Sequence, residues 1–189
     1  MTETTTNDPV SDSPATDICY RGEFLNFARR GRWEFATRLH NHEVAVIIAV
    51  TPANELVLVE QHRIPVNRPT IELPAGLIGD TCQHRGESAM HAAARELEEE
   101  TGYRTGCMRQ IMKTPTSAGL TDETAVFFTA RGLQQVSSGG GDDTEEIIVH
   151  RVPLEEVGVW LRAQYAAGKA IDPKIYSALY WLEHPEAIA

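Results

Sequence analysis

Cysteine is scarce. Three thiols in 189 residues (Cys19, Cys82 and Cys107), an odd number without paired spacing, offer no disulfide framework. Reduced thiols, and with them a cytoplasmic setting, are therefore the expectation. Positive charge is also in deficit, with 17 Lys and Arg against 27 Asp and Glu and a net charge of −10. That balance argues against a protein that coats nucleic acid and leaves no basic run for anionic lipid. Long apolar runs are missing; the best, residues 44–50, is the size of a strand and not of a membrane span. The N-terminus lacks the basic-then-apolar order of a secretory leader, so none is expected. Seven histidines, His62, His84 and His91 among them, are dispersed without zinc-type spacing. Gly139-Gly140-Gly141 lacks the Lys-Ser/Thr that makes a phosphate loop. What remains is 42% hydrophobic residues, enough for one domain with a real core.

The chain divides simply. Residues 1–17 are rich in Thr, Ser, Asp and Pro without a positive charge, which predicts a disordered tail before one domain over 18–189. Alternation predicts a strand over 32–40, and residues 43–51 read as a buried strand. A Pro52-Ala53-Asn54 turn then returns residues 55–63 as its hairpin partner. A short strand over 70–73, a helix over 87–101, and strands near 107–114, 124–130 and 145–152 follow. Residues 137–144, with three consecutive glycines, read as a mobile loop. A helix over 153–167 and another capped by Asp172-Pro173 complete a mixed α and β pattern without regular alternation.

The helix over 87–101 holds the most chemistry. Ala, Leu, Met and Glu dominate it, and Gly102 stands where a helix end favours positive φ. Glu96, Glu99 and Glu100 fall on one face at i, i+3 and i+4. Like charges so placed repel by a few tenths of a kcal/mol per pair. The ordinary reading of such a run is a solvated acidic face. Two neighbours argue for more: Arg95 is spaced to pair with Glu99, and Glu72-Leu73-Pro74-Ala75-Gly76 ends in a turn just upstream. Clustered carboxylates beside a glycine turn suit a hard divalent cation and a substrate phosphate.

Arg95-Glu96-Leu97-x-Glu99-Glu100-x-Gly102-Tyr103, with Glu87 upstream, resembles the signature of the Nudix hydrolases, Gly-x5-Glu-x7-Arg-Glu-apolar-x-Glu-Glu-x-Gly-apolar. The match is complete from Glu87 to Tyr103. Its glycine end departs: strict spacing puts Thr81 at the glycine position, and Gly76 is read as the equivalent with an insertion within 77–86. Trp33-Glu34 with Arg38, Val59-Glu60-Gln61-His62-Arg63, Glu72 to Ile78 and Gly168 to Lys174 are similar to the ADP-ribose and nucleoside diphosphate sugar pyrophosphatases. Together these motifs run over roughly residues 22–182.

The resemblance implies an α/β/α sandwich on a mixed sheet, preceded by N-terminal antiparallel strands (18–42) that serve a homodimer with shared sites. It implies Mg²⁺ (or Mn²⁺) held by Glu96, Glu99, Glu100 and the Ala75 carbonyl, with Arg95 orienting Glu99. Glu87 either supports a metal water or braces the helix. A downstream carboxylate serves as general base; Glu145 aligns best and Glu146 next, against plain solvation at a strand start. Trp33 and Glu34, with Arg38 and Arg63, are the implied contacts to base, ribose and diphosphate. A Trp face stacks on a base for about 1–3 kcal/mol, and Arg forks onto phosphate oxygens. A lone strand Trp also fits a core or a dimer interface. In Thr116-Ser117-Ala118-Gly119-Leu120-Thr121-Asp122-Glu123 the proline common in this branch is Ala118, which lacks proline's fixed φ. The expected reaction is hydrolysis of the pyrophosphate bond of a nucleoside diphosphate sugar, ADP-ribose included, to a nucleoside monophosphate and a sugar phosphate. The alternatives are a nucleoside triphosphate pyrophosphohydrolase, a silent nucleotide-sugar-binding module that regulates a partner, and a structural protein with an acidic helix.

Overall fold

Alternating small and branched residues decide which way each central strand faces. The computed structural model describes residues 14–39, 43–79, 84, 86–141 and 146–188. Strands β1 (Thr16–Arg21), β2 (Leu25–Arg30) and β3 (Trp33–Arg38) form an antiparallel N-terminal sheet. Next come β4 (Glu43–Ala49), β5 (Glu55–Arg63), β6 (Arg68–Glu72), β7 (Ala75–Leu77) and helix α1 (Ala89–Thr101). Strands β8 (Tyr103–Arg104), β9 (Cys107–Pro115), β10 (Thr124–Arg131), β11 (Gln134–Gln135) and β12 (Ile148–Pro153) follow. Helix α2 (Val157–Ala166), β13 (Ala170–Ile171) and helix α3 (Lys174–Glu183) come after them.

Two four-stranded sheets form the body, in the orders β7-β4-β10-β9 and β12-β5-β6-β13. The β4–β10 and β6–β13 pairs are parallel and the others antiparallel. Along β4, Ala45, Ile47 and Ala49 pack with Val126 and Phe128 of β10 against Ala92, Ala93 and Leu97 of α1. The alternate residues Val46, Ile48 and Val50 join Phe127 in a second core closed by Leu161 of α2 and Ile175 and Trp181 of α3. Trp181 meets Phe127 edge-on, with ring centroids 4.9 Å apart, a favoured aromatic arrangement. The period of two thus puts α1 on one side and α2 and α3 on the other. This is the expected α and β sandwich.

Several local expectations need correction. Strands β4 and β5 do not pair as a hairpin. The turn closes, with Thr51 N–H donating to Glu55 O at 2.9 Å and Asn54 at φ 62°, but only Val50 and Leu56 bridge before the strands part into different sheets. Both strands are apolar on both faces, so each serves a separate sheet better than a shared ribbon. The tail boundary also shifts: Thr16 and Asp17 open β1, opposite Arg30 and Arg29. Strand β1 has no buried residue and so shows no clear alternation to read. Helix α1 starts at Ala89, because the Ser88 hydroxyl accepts from His91 N–H at 3.2 Å and caps it. It ends as expected at Gly102, with φ 73°.

The glycine segment differs most from expectation. Residues 137–141 are docked on the C-terminal end of α1. Gly140 N–H donates to Glu100 O at 2.9 Å, Gly141 N–H to Glu99 O at 3.1 Å, and Val136 N–H to Gly102 O at 2.8 Å. The rest of that expected loop, residues 142–144, lies outside the described residues, as do residues 1–13 of the expected tail.

Candidate active site

Helix periodicity and one arginine assemble the carboxylates. Arg95 Nη1 lies 2.9 Å from both Glu96 Oε1 and Glu99 Oε2, while Nη2 donates to Glu87 Oε1 at 2.9 Å. One guanidinium therefore gathers three carboxylates. Glu87 precedes the helix and is fixed there by a second donor, the Gly79 N–H at 3.2 Å. Burial pushes the Glu87 carboxyl up, but the Arg95 and Gly79 hydrogen bonds outweigh it and leave it below the usual carboxylate range. Burial opposes charge on Arg95 as well, and Glu87, Glu96 and Glu99 outweigh it, raising its pKa above the ordinary arginine value.

The upstream turn closes onto this cluster. Ala75 N–H donates to Glu100 Oε2 at 3.0 Å, which ties the buried Glu100 to β7. A Cβ on Gly76 would collide with Cγ and Cδ of Glu96. Only glycine lets the turn lie directly on that carboxyl group. Gly76 thus occupies the position expected of the signature glycine, whereas Thr81 lies outside the described residues. Glu99 is the most open of the cluster, its side chain 53% exposed, against 14% for Glu96.

The residues expected to bind substrate are placed on other elements. Arg38 on β3 bonds Glu123 Oε2 at 2.7 Å, Thr37 Oγ1 donates to Asp122 Oδ2 at 2.9 Å, and Ala36 N–H donates to Leu120 O at 2.9 Å. The loop over 116–123 is thereby fastened to the N-terminal sheet. It is also closed internally by Ser117 O, which accepts from Leu120 and Thr121 N–H, so its shape does not depend on a proline at 118. Arg63 on β5 forks onto the buried Glu72, Nε to Oε1 at 2.6 Å and Nη2 to Oε2 at 2.9 Å. Trp33 is 59% exposed at the start of β3, with Glu34 exposed beside it. Glu145 lies outside the described residues; Glu146 is exposed, and Ile147 after it is buried.

Residues 41–178 match the NUDIX domain. The chain belongs to the Nudix hydrolases. Over 150 residues this Nudix hydrolase is 37% identical to the methanol dehydrogenase activator of Bacillus methanolicus. Over the same length it is 33% identical to the ADP-ribose pyrophosphatase of Bacillus subtilis (strain 168). Each match covers 79% of this chain and 76% of the relative. A crystal structure of an ADP compounds hydrolase shares the fold with a TM-score of 0.69 at 20% identity, covering 90% of this chain and 91% of that one. These matches place the Nudix hydrolase in the ADP-ribose pyrophosphatase branch.

Nudix hydrolases generally use divalent metal ions, and the donor set here suits one. Oxygen ligands on one helix face, already drawn around a single positive charge, are the type that hard cations take. Among the described residues no three His, Cys, Asp or Glu side chains form a finished cage. Mg²⁺ typically binds through one or two carboxylates, water and substrate phosphate, without an all-protein cage. The sequence did not reveal the acidic partners of Arg38 and Arg63, the two arginines expected to meet substrate: Glu123 and Glu72. Glu123 is 85 residues from Arg38 in sequence, so no local signal marks that pair; Glu72 lies only nine residues beyond Arg63. Among the described residues no helix is long and apolar enough to cross a membrane.

Proposed function

We propose that this Nudix hydrolase cleaves the pyrophosphate bond of a nucleoside diphosphate sugar, ADP-ribose included, giving a nucleoside monophosphate and a sugar phosphate. The observation that carries the reading is the Glu96, Glu99 and Glu100 face: Glu96 lies against the Gly76 turn, Arg95 draws Glu96 and Glu99 together, and the Ala75 N–H holds Glu100. Glu96, Glu99 and Glu100, with the Ala75 carbonyl, would hold Mg²⁺ or Mn²⁺. Such a cation supplies charge neutralisation and Lewis acidity toward the phosphoryl oxygens. Arg95 keeps Glu99 oriented, and Glu87 braces the start of the helix through Arg95 and Gly79. Arg63 forks onto both oxygens of Glu72, and Arg38 brings two nitrogens to one oxygen of Glu123; phosphate oxygens can take the place of either carboxylate. Trp33 offers an open ring face for a base, and Glu34 a neighbouring acceptor for hydroxyls. Glu145 is the proposed general base, on the segment between the docked glycines and β12.

A homodimer fits one face of the N-terminal sheet, where Tyr20, Leu25 and Phe27 are exposed. The free thiols at Cys19 and Cys107 fit a cytoplasmic, reducing compartment. Similarity to the methanol dehydrogenase activator supports a second reading, in which the nucleotide-binding surface also regulates a partner enzyme.

A panel of ADP-ribose, other nucleoside diphosphate sugars and nucleoside triphosphates, assayed with Mg²⁺ and with chelator, tests the reading. Monophosphate and sugar phosphate released only with the cation, and not by Glu99→Gln, are the expected products. Pyrophosphate from triphosphates alone would assign the pyrophosphohydrolase activity instead.

A further inference from the structure

Helix α1 carries its cation ligands at its least favourable end. Glu96, Glu98, Glu99 and Glu100 crowd the C-terminal half, and the last turn contains no basic residue. A helix C-terminus already bears partial negative charge and carbonyls without intrahelical partners, so its last turn tends to fray. Arg95 and Arg104 offset part of the side-chain charge, Arg104 through a fork onto Glu98 at 2.7 and 3.0 Å.

The backbone carbonyls are met by residues 136–141. Gly140 and Gly141 donate to the carbonyls of Glu100 and Glu99, the two residues whose side chains are assigned to the cation. Val136 and Ser137 donate to Gly102 O at 2.8 and 3.2 Å. The seat is a contact between glycines. A Cβ on Gly139 would lie 2.6 Å from both Glu100 O and Gly102 N, and one on Gly102 would lie 2.7 Å from Gly139 N. Gly139 and Gly102 have φ of 65° and 73°, which glycine adopts without strain. The far end is tied by Ile147 N–H donating to Gly140 O at 3.3 Å.

We infer that residues 137–141 are a positioning strap for the cation-binding turn, resting on the reading that Glu99 and Glu100 take a divalent ion. Seating Gly139 on Gly102 brings two N–H dipoles onto the carbonyls of Glu99 and Glu100. That contact stops the turn from fraying, offsets its negative end and sets the direction of both carboxylates. Strap seating and cation binding are then coupled, each strengthening the other by the same factor.

Two measurements on the full-length protein test this. In the first, Mn²⁺ affinity is read by electron paramagnetic resonance for wild type, Gly139→Ala and Gly132→Ala. Gly132 has a matching φ of 63°, but a Cβ there meets only Gly106 at an ordinary 3.7 Å, so it shares the backbone strain without the collision. Gly139→Ala should bind Mn²⁺ about tenfold more weakly, within the range usual for coupled sites, while Gly132→Ala keeps wild-type affinity. A folded Gly139→Ala protein with wild-type affinity overturns the inference. In the second, amide exchange of Gly140 and Gly141 is followed in wild-type protein by NMR, with and without Mg²⁺. Saturation should slow both amides about tenfold; unchanged exchange with the ion bound overturns the inference even if Gly139→Ala does not fold. If wild type binds neither ion, the assignment of Glu99 and Glu100 fails first and the strap's role falls with it.

Discussion

Arg95 touches three carboxylates at once, so its loss and the loss of any one of them are different events. Removing the guanidinium leaves Glu87, Glu96 and Glu99 without their shared countercharge, whereas Glu99→Gln removes one charge, that of a proposed cation ligand, and keeps the packing. Gly76→Ala is the sharpest single-atom probe, because its Cβ must displace the Glu96 carboxyl. A shift of about 1 Å in a catalytic group costs about a hundredfold in rate. Steady-state assays of Gly76→Ala should show that loss in kcat, with the fold retained by circular dichroism.

The carboxylates also set an acid limit on stability. Glu87 and the buried Glu60 both titrate below the usual range. Burial raises Glu60, and hydrogen bonds from Lys169 and His150, each at 2.8 Å, outweigh it. Their charged forms favour the folded state, so this stabilisation is complete above the ordinary carboxylate value, about 4.3, and is lost as pH falls through the lowered folded values. Melting temperature should therefore drop on acidification below that value. Glu60→Gln should melt lower at neutral pH and show a flatter acid limb in thermal scans.

Helix α1 was legible at the level of the element because its signals are local: a run of strong helix formers, the Gly102 end and the spacing of Glu96, Glu99 and Glu100, although the start set by the Ser88 cap was not read. Ser88→Ala should cost about 1 kcal/mol and Leu97→Ala about 2–5 kcal/mol, both read from urea unfolding midpoints. The pairing of β4 and β5 was not legible. A continuous apolar run marks each strand, but which sheet it enters depends on β10 and β12, more than sixty residues downstream in sequence. Docking of Gly139 was hidden for a related reason, since a glycine run reads the same whether free or seated on a helix end. The ion pairs Arg38–Glu123 and Arg63–Glu72 join elements whose proximity no short pattern encodes.

In the whole molecule, the exposed face of the N-terminal sheet is where the proposed second copy docks. Large apolar side chains on β1, β2 and β3 face solvent while the body buries its own core on both sides of the sheets. Light scattering of the purified protein should give the mass of a dimer. Tyr20→Ser combined with Phe27→Ser, cross-strand neighbours on one exposed face, should give a monomer with unchanged far-ultraviolet circular dichroism. Both cores rest on residues outside that sheet, so the monomer should keep its fold. In the proposed function the α1 carboxylates take a divalent ion over a diphosphate. A crystal grown with Mn²⁺ and an ADP-ribose analogue whose bridging oxygen is replaced by methylene examines it most directly, through anomalous scattering. Manganese peaks are expected between the oxygens of Glu96, Glu99 and Glu100 and the analogue's phosphates; peaks only elsewhere, with those carboxylates turned to solvent, would refute a cation site on α1.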